Sequence, residues 1–156
     1  MVQGDEVLVA PDMIDPVVAA FSSTDAPVVN LASPILDPTM QDDTNVVKVA
    51  RALDDRALFF SRAPIPSRAR TPISDMLQQT GVIGFSKTFL SIFLKLERTP
   101  LEIIEGIDML RTLEHGYAIK IVASGRPTIG VDTPEELQAA EVILRSDPLT
   151  NEYLRP

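Results

Sequence analysis

Short apolar runs alternate along this chain with longer stretches in which apolar residues recur every three or four positions. The short runs predict strands, which we place at residues 28–33, 46–50, 57–60, 79–85 and 118–122. The longer stretches predict helices, which we place at residues 11–22, 87–96, 99–115 and from 134 onward. Residues 2–6 begin as the end of a further strand and turn at a glycine. This order of elements indicates an α/β layered fold with a mixed sheet.

A helix start is predicted at Thr133, which suits the N-cap position. Pro134 suits the first helical position, and Glu136 completes a capping box three residues after Thr133. Asp132 therefore stands just ahead of a helix N-terminus, where a carboxylate accepts backbone N–H bonds or binds a cation. Helix-start chemistry alone is the competing explanation, because caps of this kind are common.

A second capping box predicts one long helix from Thr99 to Gly116. Glu102 stands three residues after Thr99, and Gly116 provides a C-terminal stop. The apolar stripe of this helix consists of Ile103, Ile104, Ile107, Leu110 and Leu113. Asp108 lies off the stripe, so it either pairs with Arg111 three residues on or faces a ligand.

Residues 46–60 predict a β-hairpin in which Asp54 and Asp55 are turn residues. The segment that follows, residues 61–70, contains two prolines and predicts neither a helix nor a central strand. Its three arginines are Arg62, Arg68 and Arg70. Arginine suits two-pronged contact with a carboxylate or phosphate, and the alternative is a solvated basic loop on an acidic protein.

Two aspartates from distant parts of the chain are candidates for one metal site. Asp5 follows the predicted end of the first strand, and open α/β sheets bind ligands at that edge. Asp5 and Asp132 can share one Mg²⁺, which takes one or two carboxylates, several waters and substrate phosphates. Acidic turns are frequent, so a purely structural role for both residues is the alternative.

Length and charge narrow the class of protein. The 156 residues predict one α/β domain over residues 1–145 and a loose C-terminal tail over residues 146–156. A formal net charge of −8 and a sequence pI of about 4.6 argue against nucleic-acid binding through a basic face. The sequence has no cysteine, which excludes disulfides, zinc thiolate sites and thiol nucleophiles.

No stretch of the sequence predicts a leader or a membrane segment. Lys48 is the first basic residue, so the basic start of a signal peptide is missing. The longest apolar stretch, residues 89–96, contains Ser91 and Lys95 and is too short to span a bilayer. We therefore expect a cytoplasmic protein with no membrane partner.

Five motifs occur in this order along the chain with consistent spacing. They are residues 2–6 (Val-Gln-Gly-Asp-Glu), 45–49 (Asn-Val-Val-Lys-Val), 60–66 (Phe-Ser-Arg-Ala-Pro-Ile-Pro), 99–102 (Thr-Pro-Leu-Glu) and 130–137 (Gly-Val-Asp-Thr-Pro-Glu-Glu-Leu). Each motif is weak alone. Together, from residue 2 to about residue 145, they resemble the 3-deoxy-manno-octulosonate cytidylyltransferases, also called CMP-Kdo synthetases.

The resemblance implies both a fold and an activity. The fold is a partial nucleotide-diphospho-sugar-transferase-like (Rossmann-like) three-layer fold with a mixed sheet and an inserted β-hairpin. The activity is transfer of CMP from CTP to a 3-deoxy sugar acid such as Kdo, with release of pyrophosphate, in lipopolysaccharide biosynthesis. The implied cofactor is Mg²⁺, held by Asp5 and Asp132 as the catalytic carboxylates. Gln3 is implied as a sugar contact, Arg62 as the anchor of the sugar acid's carboxylate, and the full-length family as a homodimer.

The sugar-binding positions depart from the family pattern. The family's Leu-Arg-His is here Leu-Gln-Gln, which places Gln79 at the histidine position, and its Glu-Gln pair is here Asp108 and Met109. Gln79 and Asp108 remain candidate sugar contacts, whereas Ile83 and Met109 each lose a polar group. These changes suggest a related but different sugar acid.

The family usually has a long segment ahead of the first motif, with a basic loop for the triphosphate and a part that reads cytosine. The resemblance therefore covers a C-terminal portion that lacks this nucleotide-binding segment, and we expect no cytidylyltransferase activity from the chain alone. A non-catalytic sugar-acid-binding or dimerisation module derived from the family is the alternative. A phosphotransfer domain of another α/β family is less favoured, because no Gly-rich phosphate loop motif is found.

Overall fold

The computed structural model describes residues 1–70, 75–126 and 128–153. Its strands are β1 (Val28–Pro34), β2 (Lys48–Arg51), β3 (Ala57–Ser61), β4 (Leu77–Phe85) and β5 (Ile119–Ala123). Its helices are α1 (Pro11–Ala20), α2 (Lys87–Phe93), α3 (Pro100–Glu105), α4 (Met109–Glu114), α5 (Pro134–Ser146) and α6 (Pro148–Tyr153), with a 3₁₀ turn at Pro38–Gln41. All five predicted strands are present.

The strands form one mixed sheet in the order β3-β2-β4-β1-β5. β1 and β5 are parallel, and the pairs β1–β4, β2–β4 and β2–β3 are antiparallel. The predicted hairpin is confirmed, because β2 and β3 pair directly and the turn between them contains Asp55 in the left-handed region at φ 62°. That conformation suits an aspartate turn residue.

Helices cover both faces of the sheet, as the predicted three-layer arrangement requires. Successive residues of β1 point to opposite faces, so Val28 and Val29 are buried in two different cores. On one face α1 packs Met13 against Val29. On the other face α2 contributes Phe89 and α4 contributes Leu110 to the core around Val28. The α/β layered fold with a mixed sheet is confirmed.

The prediction of one long helix from 99 to 116 is wrong, because the chain divides at Gly106 into α3 and α4. Gly106 adopts φ 65° at the C-cap of α3, a conformation that glycine reaches without steric cost. The turn brings Ile107 into the core, while Ile103 and Ile104 remain 61% and 77% exposed. The predicted apolar stripe is therefore not a single buried face.

A buried ion pair joins α3 to α4. Arg111 donates from Nε and Nη2 to the Glu102 carboxylate at 2.8 and 2.5 Å, and its guanidinium lies 4.9 Å from the centre of the Phe93 ring. Hydrogen bonds from Arg111 hold the pKa of Glu102 below its usual value. Arg111 thus pairs with Glu102 rather than with Asp108.

The N-terminal residues pair with β4, as the predicted strand end requires, whereas the C-terminal segment differs from the predicted loose tail. Residues 1–3 pair with β4 through an isolated bridge at Val2–Val82 and the Gln3 N–H, which donates to the Gly81 carbonyl at 2.9 Å. Part of the predicted tail forms helix α6, while residues 154–156 lie outside the described residues. Within the described ranges no helix is long and apolar enough to cross a membrane.

Candidate functional site

A cavity of about 690 Å³ opens where the N-terminal turn, β4 and the segment before α5 meet. It is lined by all six residues that the sequence singled out, namely Gln3, Asp5, Arg62, Gln79, Asp108 and Asp132. These residues come from widely separated parts of the chain, so their assembly in one cavity is a tertiary feature. Their individual roles stay predictions.

Backbone pairing holds the two aspartates beside each other. The Val131 N–H donates to the Asp5 carbonyl at 3.1 Å, and an isolated bridge joins Glu6 to Gly130. The segment that carries Asp132 therefore runs alongside the segment that carries Asp5.

The capping box at the start of α5 fixes the backbone at Asp132. Glu136 accepts from the Asp132 and Thr133 N–H groups at 2.8 Å each, and the Glu136 N–H donates to the Thr133 hydroxyl at 3.2 Å. The predicted helix start is confirmed. Because Glu136 takes these amide donors, they are not available to bind a phosphate.

Carboxylates dominate the cavity wall. In the described part of the lining the acidic residues are Asp5, Glu6, Asp37, Asp43, Asp108, Asp132, Glu135 and Glu136, against a single basic residue, Arg62. Burial raises the pKa of Glu6 and the pKa of Asp108 above their usual values. An anionic substrate can enter such a cavity only if cations or further basic groups offset this charge.

The donors present fit a hard divalent cation. Neither the Asp5 nor the Asp132 carboxylate accepts a hydrogen bond within the described part of the chain. The described residues contain no group of three or more histidine, cysteine, aspartate or glutamate side chains that could hold a metal ion, so two carboxylates would need further ligands. Two carboxylates completed by waters and phosphate oxygens form the ligand set that Mg²⁺ uses with nucleotides.

Arg62 is held rigidly at the cavity wall. Its Nε donates to the Glu105 carbonyl and its Nη1 to the Thr44 carbonyl, each at 2.8 Å. Buried Lys48 donates from Nζ to the carbonyls of Arg62 and Asp43, and this burial lowers the pKa of Lys48. The Arg62 Nη2 has no hydrogen-bond partner among the described residues, so the outer edge of the guanidinium is available to an anion.

Gln79 presents a hydrogen-bond acceptor to the cavity. The Asn30 Nδ2 donates to the Thr80 carbonyl at 3.1 Å, which orients the Asn30 Oδ1 toward Gln79. The Gln79 Nε2 donates to that oxygen at 2.7 Å. The side-chain amide oxygen of Gln79, Oε1, is therefore the group left for a ligand.

Two of the residues that depart from the family pattern lie away from the cavity. Ile83 and Met109 are both buried in the core beneath α2 and α4, and neither lines the cavity. Their apolar side chains fit that environment. The suggestion that they alter sugar contacts is therefore not supported by their position.

Sequence reasoning missed several residues of the site. Buried Lys48 had a signal, because a lysine inside an apolar strand run must find polar partners when it is buried. Gln78 and Thr128 had none, because their hydrogen bonds join residues 50 positions apart. Glu6 belongs to the first motif, and in the folded chain it lines the cavity and accepts a hydrogen bond from the Gly81 N–H.

The fold is that of the nucleotidyltransferases. A solved CMP:2-keto-3-deoxy-manno-octonic acid synthetase in complex with CTP superposes with a TM-score of 0.83, at 25% identity, over 92% of this chain and 60% of that chain. The inositol-1-phosphate CTP transferase from T. maritima shares the fold alone, with a TM-score of 0.54 and 16% identity over 87% of this chain and 51% of its own.

Within this class the chain belongs to the cytidylyltransferase family, whose model matches residues 1–121. A curated relative from Syntrophotalea carbinolica, a 3-deoxy-manno-octulosonate cytidylyltransferase, is 41% identical over 154 residues. That match takes in 92% of this chain and 62% of the relative. The chain thus spans about three fifths of the length of the relatives it matches.

Proposed function

We propose that this chain forms the sugar-acid- and metal-binding part of a cytidylyltransferase site. The transfer would move CMP from CTP to a 3-deoxy sugar acid such as 3-deoxy-manno-octulosonate, with release of pyrophosphate. The observation that carries the proposal is the meeting of Asp5, Arg62 and Asp132 in one cavity of a chain with such relatives.

The chemistry needs positioning more than covalent participation by the protein. A hydroxyl oxygen of the sugar acid attacks the α-phosphorus of CTP, the bond from that phosphorus to the bridging oxygen breaks, and pyrophosphate leaves. The hydroxyl proton passes to solvent or to a base. Arg62 would hold the sugar acid's carboxylate through its outer edge, and the Gln79 oxygen would accept a hydrogen bond from a sugar hydroxyl.

Asp5 and Asp132 would hold Mg²⁺ at this site. When bound, the ion supplies positive charge that offsets the phosphates and the acidic wall of the cavity. This assignment is supported by the direct pairing of the backbone segments that carry the two aspartates. It is also supported by the absence of a side-chain partner for either carboxylate among the described residues. Asp108 and Gln3, on the same wall, would contact the sugar.

A non-catalytic sugar-acid-binding module is the second candidate. It is favoured by one observation, namely that Arg62 is the single basic residue in the described lining of the cavity. Triphosphate transfer needs several positive or N–H donors around the phosphates. The homodimer and the cytoplasmic location stay predictions under either candidate.

The 156-residue chain alone is expected to release no pyrophosphate from CTP with 3-deoxy-manno-octulosonate and Mg²⁺. A fusion to the part of the Syntrophotalea carbinolica relative that the chain does not match, called the fusion protein below, is expected to release it. The physical reason is that the described lining of the cavity has one basic residue, Arg62, whereas a triphosphate needs several donors around it. A coupled pyrophosphate assay measures both proteins.

The two candidates separate in this assay and in a binding measurement. An inactive fusion protein that still binds the sugar acid in calorimetry would favour the binding module. Pyrophosphate release by the unfused chain would overturn the expectation and place the triphosphate donors within it. The relative's own full-length enzyme serves as the positive control.

Arg62→Lys in the fusion protein is expected to raise the KM for the sugar acid by about 10–100-fold and to change the KM for CTP by less than about threefold. Lysine keeps the charge but loses the two-pronged geometry and both carbonyl contacts. Steady-state kinetics with each substrate varied in turn measure the split. Arg51→Lys, on the exposed hairpin, is the matched control. Equal increases for both substrates would contradict a role specific to the sugar acid.

A further inference from the structure

A buried group of polar side chains forms part of the cavity wall, which Gln78 and Thr128 both line. It consists of Ser33 on β1, Gln78 on β4 and Thr128 in the segment after β5, and all three are buried. We call these residues the Gln78 cluster. They come from three parts of the chain that meet only in the folded protein.

Direct hydrogen bonds join the three residues of the Gln78 cluster. The Gln78 Nε2 donates toward the Ser33 hydroxyl at 2.9 Å, the Thr128 carbonyl at 3.1 Å and the Thr128 hydroxyl at 3.2 Å. The Ser33 and Thr128 hydroxyls lie 3.2 Å apart and share a further hydrogen bond. Buried polar groups that are satisfied in this way fix one geometry, because any displacement leaves a donor or acceptor unpaired.

The cluster and the N-terminal turn are anchored to the same strand. Thr128, four residues before Asp132, is fixed to β4 at Gln78. Glu6, next to Asp5, is fixed to β4 at Gly81, whose N–H donates to its carboxylate. β4 therefore sets the separation of the two segments that carry the aspartates.

We propose that the Gln78 cluster positions Asp132 relative to Asp5 and thereby sets the affinity of the site for a divalent cation. The inference rests on the proposed function, because it takes Asp5 and Asp132 as the metal carboxylates. Gln78, Ser33 and Thr128 are positioning residues, since they act through the backbone of residues 128–132. Outer-shell partners of metal ligands commonly change metal affinity by about 10–100-fold when they are removed.

The test uses the 156-residue chain with Mn²⁺ as the probe ion. Thr128→Val removes the hydroxyl at nearly constant volume, and Gln78→Leu removes all three donated contacts. Both variants are expected to weaken Mn²⁺ binding by about tenfold in calorimetry or in electron paramagnetic resonance of the free ion. Thr128→Ser keeps the hydroxyl and is expected to restore affinity to within about threefold of the unaltered chain.

Thr112→Val is the matched control. Thr112 is fully buried on α4, and its hydroxyl has no hydrogen-bond partner among the described residues. Its replacement makes the same change in chemistry at a buried site away from the cavity. Mn²⁺ affinity is expected to stay unchanged in this variant, and an equal loss there would overturn the proposal.

Hydrogen exchange of the Val131 amide provides a readout that does not depend on the metal. This N–H donates to the Asp5 carbonyl and so reports the pairing of the two aspartate segments. Exchange at Val131 is expected to be at least tenfold faster in Thr128→Val than in Thr112→Val, with unchanged exchange in the β2–β3 hairpin.

The failure of this inference and the failure of the proposed function give different results. Unchanged Val131 exchange together with unchanged Mn²⁺ affinity in both cluster variants would overturn the positioning role. If the unaltered chain binds no Mn²⁺ and Asp132→Asn changes nothing, the metal site of the proposed function is wrong. The proposed effect of the Gln78 cluster on metal affinity would then be overturned too, even if Val131 exchange still becomes faster in Thr128→Val.

Discussion

Asp132→Asn in the fusion protein is expected to lower the rate of pyrophosphate release by about 10²–10³-fold at saturating CTP, which corresponds to the loss of several kcal/mol of charge stabilisation. Asparagine keeps the size of the side chain but removes one of the two anionic ligands proposed for Mg²⁺. Asp5→Asn is expected to cause a loss of similar size. Rates measured over a titration of Mg²⁺ should show that a higher concentration is needed to approach the maximum.

The double variant separates one shared ion from two independent roles. If Asp5 and Asp132 bind the same ion, the combined loss should be much smaller than the product of the single losses, because residues that act as a unit are not additive. Glu135→Gln is the matched control, since Glu135 is an exposed acid in the lining of the same cavity. It should change the rate by less than about threefold. Full additivity, or an unchanged Mg²⁺ requirement, would contradict the shared site.

Glu102→Gln is expected to destabilise the fold by about 3–5 kcal/mol, because it leaves the largely buried Arg111 guanidinium without its carboxylate. Glu102 is 4% exposed and Arg111 17% exposed, so solvent replaces little of the lost interaction. The contacts of Arg111 with α3, the Phe93 ring and the Leu96 carbonyl would loosen together. Urea unfolding followed by circular dichroism measures the free energy of unfolding.

A surface pair gives the control for this loss. Glu141 and Arg145 form an i, i+4 pair on α5 with side chains 55% and 80% exposed, so Glu141→Gln should cost less than about 0.5 kcal/mol. The double replacement Glu102→Leu with Arg111→Met should recover much of the lost stability, since no unpaired charge then remains buried. A loss for Glu102→Gln as small as that for Glu141→Gln would contradict the assignment.

The same ion pair predicts a pH dependence of definite sign. The pKa of Glu102 in the folded chain is lowered from 4.5, chiefly by the hydrogen bonds from Arg111, so its contribution is fully present above about pH 4.5. This contribution to the free energy of unfolding is lost as the pH falls through the lowered pKa of Glu102 in the folded chain. The difference in unfolding free energy between the unaltered chain and Glu102→Gln should therefore narrow in acid and stay constant near neutral pH.

Local sequence patterns predicted much of the fold and part of the site. The capping box at Thr133, the five strands and the hairpin turn at Asp55 depend on residues within a few positions of each other. Side-chain caps, two-residue alternation and turn preferences act over that range. Short motifs likewise pointed to three residues of the candidate site, Asp5, Arg62 and Asp132. All three line the cavity.

Tertiary packing decided the features that local patterns predicted wrongly or missed. The apolar stripe favoured one helix through Gly106, but burial of Ile107 and the left-handed turn at Gly106 divide it. Lys48 stands in an apolar run, yet its Nζ donates to the carbonyl of Arg62, which follows the end of the neighbouring strand β3. Such outcomes depend on which distant groups can satisfy a buried donor, and propensity does not encode that.

The Gln78 cluster shows this division within the site itself. The sequence alone identifies Asp132 as a carboxylate ahead of a helix, because the residues that cap this helix, Thr133 and Glu136, follow it closely in the chain. It does not mark Thr128 or Gln78, whose hydrogen bonds close a loop of 50 residues. Only the folded sheet brings their donors and acceptors within reach. Local sequence patterns were thus enough to select Asp5 and Asp132 as candidates. How the segments that carry them are held followed from the tertiary fold, because desolvated polar groups must pair with whatever the fold places beside them.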